Sequence, residues 1–274
     1  MNVFAPARCF DPNDPELIDL PGFDRTLLRE ELQMLEDLNR RLHGHHLMLG
    51  YVQQLLGSTR MKSLSILDLG TGAADIPRAI AAWARQRQLP VTITAVDRNP
   101  EVFQIAQEFC RDWPEIRLEQ HDLRALPYAA KSFDLVLCSL TLHHFDSADA
   151  ITILQQMKKM ARLGYIVNDL RRNWLAIGAM ELLLHAMFRS RVFCHDARQS
   201  CRAAFTVREL WALAEQAGLD NYQIHRHHWF FRMVMAGQNE QRNKYNQNRC
   251  HSWCRPGGQH ASIGGGVRSV DVSA

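Results

Sequence analysis

Ser65-Ile66-Leu67-Asp68-Leu69-Gly70-Thr71-Gly72-Ala73-Ala74-Asp75-Ile76-Pro77 decides the fold of this chain. Leu64, Ile66, Leu67 and Leu69 make an apolar run of strand length that stops at a pair of glycines. From Ala73 onward, Ile76, Ile80 and Trp83 recur at the spacing of one helix face. The segment reads as a strand, a tight turn and a helix. In a parallel α/β sheet such a turn lies at the carboxyl end of its strand, where ligands bind, and glycines let the backbone come close to one. The flanking residues restrict that ligand. A dinucleotide turn carries a third glycine and an open helix N-terminus for pyrophosphate, whereas here Asp75 stands at the third position and Asp68 just before the turn. Two carboxylates repel a diphosphate and favour a ligand that carries positive charge.

Asp68-Leu69-Gly70-Thr71-Gly72 resembles the first motif of the class I S-adenosylmethionine-dependent methyltransferases, an acidic residue, any residue, then Gly-x-Gly. Their methyl donor carries both an ammonium and a sulfonium. Two later stretches fit the same family in order and spacing. Pro90 to Asp97 is β-branched and alternating, ends on an acid and is followed by Arg98-Asn99-Pro100 and a new helix. A carboxylate at the tip of a second strand is placed to accept two hydrogen bonds from a ribose diol; the competing role for Asp97 or Asn99 is to cap the helix. His121-Asp122-Leu123 then precedes Phe133-Asp134-Leu135-Val136, which leads to Ser139. The resemblance implies donor-binding residues at Asp68, Gly70, Thr71, Gly72, Asp97, Arg98, Asp122, Leu123 and Ser139, with Asp122 at the adenine amino group. It also implies the fold: a Rossmann-like, seven-stranded, mostly parallel α/β sheet closed by an antiparallel hairpin, with helices on both faces and an N-terminal helical cap.

The 274 residues, 46% of them hydrophobic, suffice for one α/β core with appendages. A net charge of +3 is too mild for a nucleic-acid surface, which needs a clustered basic patch. Seven scattered cysteines fit a reducing compartment. With no signal-peptide pattern and no run of spanning length, the expectation is a soluble cytoplasmic protein. Three regions follow: residues 1–57 as arm and helical cap, 58–237 as the S-adenosylmethionine-binding domain, and 238–274 as a polar, disordered tail. Cys250, His251, Cys254 and His260 in that tail are zinc-ligand types, but one Cys-x-x-x-Cys step without a second pair does not make a zinc site, and no metal is assigned.

Asp24 is a candidate N-cap for a helix to about Leu42, and a second helix spans His45 to Leu56. These helices either fold over the donor or merely cover a sheet face. Asp146 or Ser147 opens a helix through Met160, and Ala161 to Asp169 is a strand. Asn173 to Phe188 is apolar and reads as a buried lid helix over an apolar pocket, Arg198 to Ala204 as a short connector. Thr206 and Glu209 form a capping box, and Tyr222 to Ala236 gives two strands.

Methyl transfer needs alignment, exclusion of water and, for a weak acceptor, removal of a proton. His144, and after it His143, stand at the right sheet edge to be that base; Asp169 is a rival base or acceptor anchor, with Arg171 beside it as an anion contact. Family members that methylate nucleic-acid amino groups carry Asn/Asp-Pro-Pro-Tyr/Phe after the fourth strand. Ser139-Leu140-Thr141-Leu142 stands there instead, which favours a small, partly apolar acceptor. Leu142-His143-His144-Phe145 resembles ubiquinone- and menaquinone-type and natural-product methyltransferases. The expectation is transfer to oxygen or carbon of a phenolic, quinol or polyketide-like acceptor. The alternatives are a nucleotide-binding oxidoreductase and a non-catalytic S-adenosylmethionine-binding regulator. Oligomeric state is not legible.

Overall fold

In a computed structural model the chain is described over residues 5–20, 22–57, 61–187, 190–227 and 231–239, with the side chains of 183–187 left aside. The tail from residue 240, with its cysteines and histidines, and His228 lie outside the described residues. Seven strands form one sheet in the order β3-β2-β1-β4-β5-β7-β6. Strands β1 (Leu64–Leu69), β2 (Val91–Asp97), β3 (Ile116–Gln120), β4 (Phe133–Ser139) and β5 (Ala161–Leu170) are parallel. β6 (Tyr222–His227) and β7 (Arg232–Gln238) add an antiparallel hairpin, with Leu170 of β5 opposite Arg232. The chain turns back between β1 and β4, so the carboxyl ends of β1, β2 and β4 enclose a crevice.

Period-two alternation along β1 sorts the core. Leu67 and Leu69 face one cluster, with α5 (Ser147–Met160) and α8 (Val207–Gln216) packed on it through Ile153, Met157, Leu210 and Leu213. Leu64 and Ile66 face the other, covered by α2 (Gly44–Leu56) and α3 (Asp75–Gln86) through Val52, Leu55, Ile76 and Ile80. Helices therefore lie on both faces.

The two N-terminal helices divide the roles foreseen for them. α2 covers a sheet face. α1 (Arg25–Arg41) lies over the glycine turn: Leu28 and Leu32 pack on Ala73 and on Val102 and Ile105 of α4 (Pro100–Phe109). Each fully buried leucine contributes about 1.5–3 kcal/mol, enough to hold the helix across the crevice. Asp24 caps α1 by accepting from the Leu27 amide at 2.9 Å. Asn99 caps α4, which leaves Asp97 free of that task. Thr206 and Glu209 form the reciprocal capping box.

Two expectations are overturned. Arg198 to Ala204 is not a connector but the second half of a helix, α7 (Arg191–Ala203), capped by Ser190, which accepts from the Phe193 amide at 3.2 Å. Its polar sequence misled because only Phe193, Cys201 and Ala203 supply apolar burial, and the helix is held instead by Asp196 and Ser200 bonding to the N-terminal arm. The apolar segment after residue 173 is a helix, α6 (Trp174–Met187), with Met180 on the cavity wall and Ala176 buried, yet among its described side chains Trp174 is 60%, Leu175 74% and Leu182 73% exposed, so it is not the buried helix expected. Asn173 begins it by accepting from the Ala176 amide at 2.7 Å. Among the described residues no helix is long and apolar enough to cross a membrane.

Candidate active site

The crevice holds a cavity of about 260 Å³. Asp68, Gly70, Thr71, Gly72, Asp97, Arg98, Leu123, Ser139, His143 and His144 line it, so most of the residues singled out from sequence converge on one space. Two do not. Asp122 is turned outward and gripped by Arg124, whose Nε lies 3.0 Å from both its oxygens. Asp169 is fully buried behind the wall. Leu32, Leu35, Leu38, Leu42, Leu170 and Met180 add an apolar surface.

The glycine turn is built for close approach. Gly70 has φ +66°, and a β-carbon there would collide with Thr141, whose hydroxyl donates to the Gly70 carbonyl at 3.1 Å. Gly72, at φ +53°, has open space where its side chain would be. Its amide donates to Asp97 Oδ2 at 2.9 Å, while the Asn99 amide donates to Oδ1 at 3.0 Å. Those bonds aim the carboxylate and leave further lone pairs for a ligand. Burial, against the pull of these amides, raises the Asp97 pKa.

Asp68 is 3% exposed, and its Oδ1 has no hydrogen-bond partner. Burial first, then the nearby charges of Asp75 and Asp97, push its pKa up to about 7. A buried carboxylate with one oxygen unpartnered on a cavity wall is matched by a cationic ligand group, and an ammonium supplies both the charge and the donor. Asp75 is different. Burial raises it, but His45 Nε2 at 2.8 Å and Asn39 Nδ2 at 2.6 Å outweigh that and hold it below its ordinary value, so its charge serves α1 and α2.

His143 is 3% exposed, with Nδ1 2.6 Å from Asp169 Oδ1. Burial lowers its pKa, yet the Asp169 charge and hydrogen bond prevail and the net shift is upward. With Nδ1 engaged, Nε2 faces Glu16, 3.9 Å away. His144 Nε2 stands at the same distance from Glu16 Oε1, and its Nδ1 is 3.8 Å from Asp19. Glu16 and Asp19 come from the N-terminal arm, whose Arg8 donates to the Phe145 carbonyl at 2.7 Å. Sequence reasoning foresaw an arm but not its place beside the histidines, because a Pro- and Asp-rich segment carries no periodicity. It also missed Arg232, whose neighbours in sequence read only as strand, while Arg171 does not line the cavity.

Residues 66–164 match the family model described as a methyltransferase domain. Demethylmenaquinone methyltransferase of Bacillus licheniformis is 25% identical over 176 residues, 60% of this chain and 74% of that protein. A SAM-dependent methyltransferase structure from Aquifex aeolicus aligns with a TM-score of 0.54 at 14% identity, over 79% of this chain and 98% of its own. The plantazolicin methyltransferase BpumL, in complex with SAH, aligns with a TM-score of 0.58 at 15% identity, over 77% and 90%. A further solved structure, from Nostoc punctiforme, is spanned over about half its length, 54%. Family match, sheet order and the chemistry of the crevice agree: residues 66–164 carry a methyltransferase domain, and the chain has the Rossmann-like methyltransferase fold around it.

Proposed function

We propose that the enzyme methylates an oxygen or carbon atom of a small, partly apolar acceptor of phenolic, quinol or polyketide-like character. The observation that carries this reading is the His143–Asp169 pair at the wall of a cavity otherwise rich in leucine. An imidazole whose far nitrogen is held by a buried carboxylate is oriented to take a proton, which an acidic hydroxyl or an enolisable carbon must lose on methylation. The B. licheniformis relative is named for demethylmenaquinone and BpumL for plantazolicin, and the first of these names supports a quinol-like acceptor without fixing the compound.

In this reading Asp97 accepts from the ribose hydroxyls and Asp68 takes the ammonium of the donor's amino acid end. Bound there, S-adenosylmethionine supplies an electrophilic methyl on a sulfonium. Leu123 and the backbone at Gly70 and Gly72 shape its bed. The acceptor's proton passes to His143 Nε2, Asp169 stabilises the resulting imidazolium, and the leucines of α1 keep water out. His144 and Glu16 form the outer wall beside the base.

A screen of phenols, quinols and β-keto compounds with a methyl-labelled donor tests the proposal. Labelled product in at least one class is expected. Absence of product throughout, with donor binding intact, turns the reading toward a regulator; tight binding of NAD(H) and none of S-adenosylmethionine turns it toward an oxidoreductase.

A further inference from the structure

Arg232 opens β7 opposite Leu170, is 3% exposed, and has Nε and Nη1 without a hydrogen-bond partner. It lines the same cavity. Leaving a buried guanidinium with unmade bonds is costly, so such a group in a cavity wall calls for an acceptor delivered by a ligand. The carboxylates that act on it electrostatically are committed elsewhere: Asp75 to Asn39 and His45, Asp169 to His143 and the Leu170 amide. They offset its charge from a distance but leave its donors open. Burial lowers its pKa to about 10, so it is a cation at neutral pH.

The sheet order places this charge. Asp97, Asp68 and Ser139 end β2, β1 and β4, and Arg232 begins β7, beyond β5. From β2 to β7 is four strand spacings, roughly 19 Å between backbones. This end of the cavity, beyond β5, has Leu170 as the strand neighbour of Arg232 and Met180 on its wall, while the guanidinium reaches toward Gly44 and Asn39, within the influence of Asp75 and Asp169. The second arginine on the wall, Arg98, is exposed and follows β2.

We propose that Arg232 is a carboxylate-recognition residue for the acceptor, so that the enzyme's acceptor is an acid: its carboxylate is gripped by the guanidinium fork while its apolar body lies on the leucine surface. An arginine fork matches a carboxylate in geometry as well as charge. The inference rests on the reading that this end of the cavity takes the acceptor.

The test pairs aromatic and alkyl β-keto acids with their own methyl esters and measures their binding to protein saturated with S-adenosylhomocysteine, for the wild type, Arg232→Lys and Arg232→Met. S-adenosylhomocysteine affinity is measured alongside as the control for folding and donor binding. At least one acid is expected to bind the wild type about tenfold more tightly than its ester; Arg232→Met abolishes that preference, Arg232→Lys keeps part of it, and donor-product affinity is unchanged. Equal binding of acid and ester, with the ester methylated, overturns the carboxylate assignment and leaves the acceptor reading standing. A tenfold loss of S-adenosylhomocysteine affinity in Arg232→Met with acid preference retained overturns it in favour of the donor's own carboxylate. Binding of neither acid nor ester in any pair overturns the acceptor reading itself.

Discussion

Asp169 bonds His143 twice, through Oδ1 to the ring Nδ1 at 2.6 Å and through Oδ2 from the backbone amide at 3.0 Å. The second bond fixes the residue and the first fixes the ring, so the imidazole meets the cavity with one tautomer and one orientation. Asp169→Asn keeps the volume but removes the charge that favours the protonated ring. Turnover is expected to fall by about 100-fold or more while S-adenosylhomocysteine binding, read by calorimetry, holds. The pH profile carries the sign. The ring must be neutral to accept a proton and its pKa lies above the ordinary 6.5, so wild-type activity rises with pH through a value above 6.5 and the Asn variant's limb moves down. The pair stabilises the fold fully below about 6.5 and loses that contribution as pH rises through the folded value. An unmoved limb would remove His143 from the proton-transfer role.

Burial of Asp68 makes the stability of the fold depend on pH. Its folded pKa, about 7, exceeds the ordinary 3.8, so the folded chain holds a proton that the unfolded chain releases, and stability falls as pH climbs between those values. Asp68→Asn removes that loss. In thermal unfolding at pH 8 without ligand, the variant is expected to melt higher than the wild type by a few degrees, on the order of what 1 kcal/mol gives. Its affinity for S-adenosylmethionine falls, because an amide cannot neutralise an ammonium. A variant with lower melting temperature and unchanged affinity would show Asp68 to be a structural acid.

The glycine-turn part of the cavity is legible in the sequence because it is local: Asp68, Gly70 and Gly72 sit on one strand and its turn, and Asp97 ends the next strand, so period and turn chemistry locate them. The rest of the cavity wall is assembled from distant pieces. Glu16 reaches His143 across more than a hundred residues of chain, and Arg232 enters through a hairpin whose antiparallel register, Leu170 opposite Arg232, no local pattern encodes. Asp122 shows the converse: it stands where the motif expects a cavity residue, but Arg124 two residues later holds its carboxylate, which does not line the cavity, and holds its pKa down. Helix α6 was legible as a helix and not as an exposed one, since hydrophobicity reports how much apolar surface exists and not what covers it.

Gly70 cannot gain a side chain. At φ +66° an L-residue is strained by about 1–2 kcal/mol, and the added carbon meets Thr141, which is itself tied to the Gly70 and Ser139 carbonyls. Gly70→Ala is expected to lose both stability and donor binding. Thr141→Ala makes room, so the double variant should recover part of the stability in urea unfolding. Gly72→Ala is the contrast: its backbone is strained but its space is free, so the stability cost is smaller and the effect falls on ligand binding. Equal unfolding midpoints for the two single variants would contradict this.

Asp196 latches the N-terminal arm over the site. Its two oxygens, in a side chain almost wholly buried on α7, accept the amides of Leu17 at 2.9 Å and Ile18 at 3.2 Å, and so hold the turn that carries Glu16 and Asp19 to the histidines. Hydrogen bonds to a charged acceptor contribute about 1.5–3 kcal/mol each, enough to keep an arm of few apolar contacts closed. Asp196→Ala is expected to speed limited proteolysis within residues 5–20 while the sheet domain stays intact, and to raise the acceptor KM, since the wall formed by Glu16 opens to water. Asp196→Asn, which retains one accepting oxygen, should fall between the two. Cleavage of the arm at the wild-type rate in Asp196→Ala would mean that Arg8, bonded to the carbonyls of Ala203 and Phe145, holds the arm by itself.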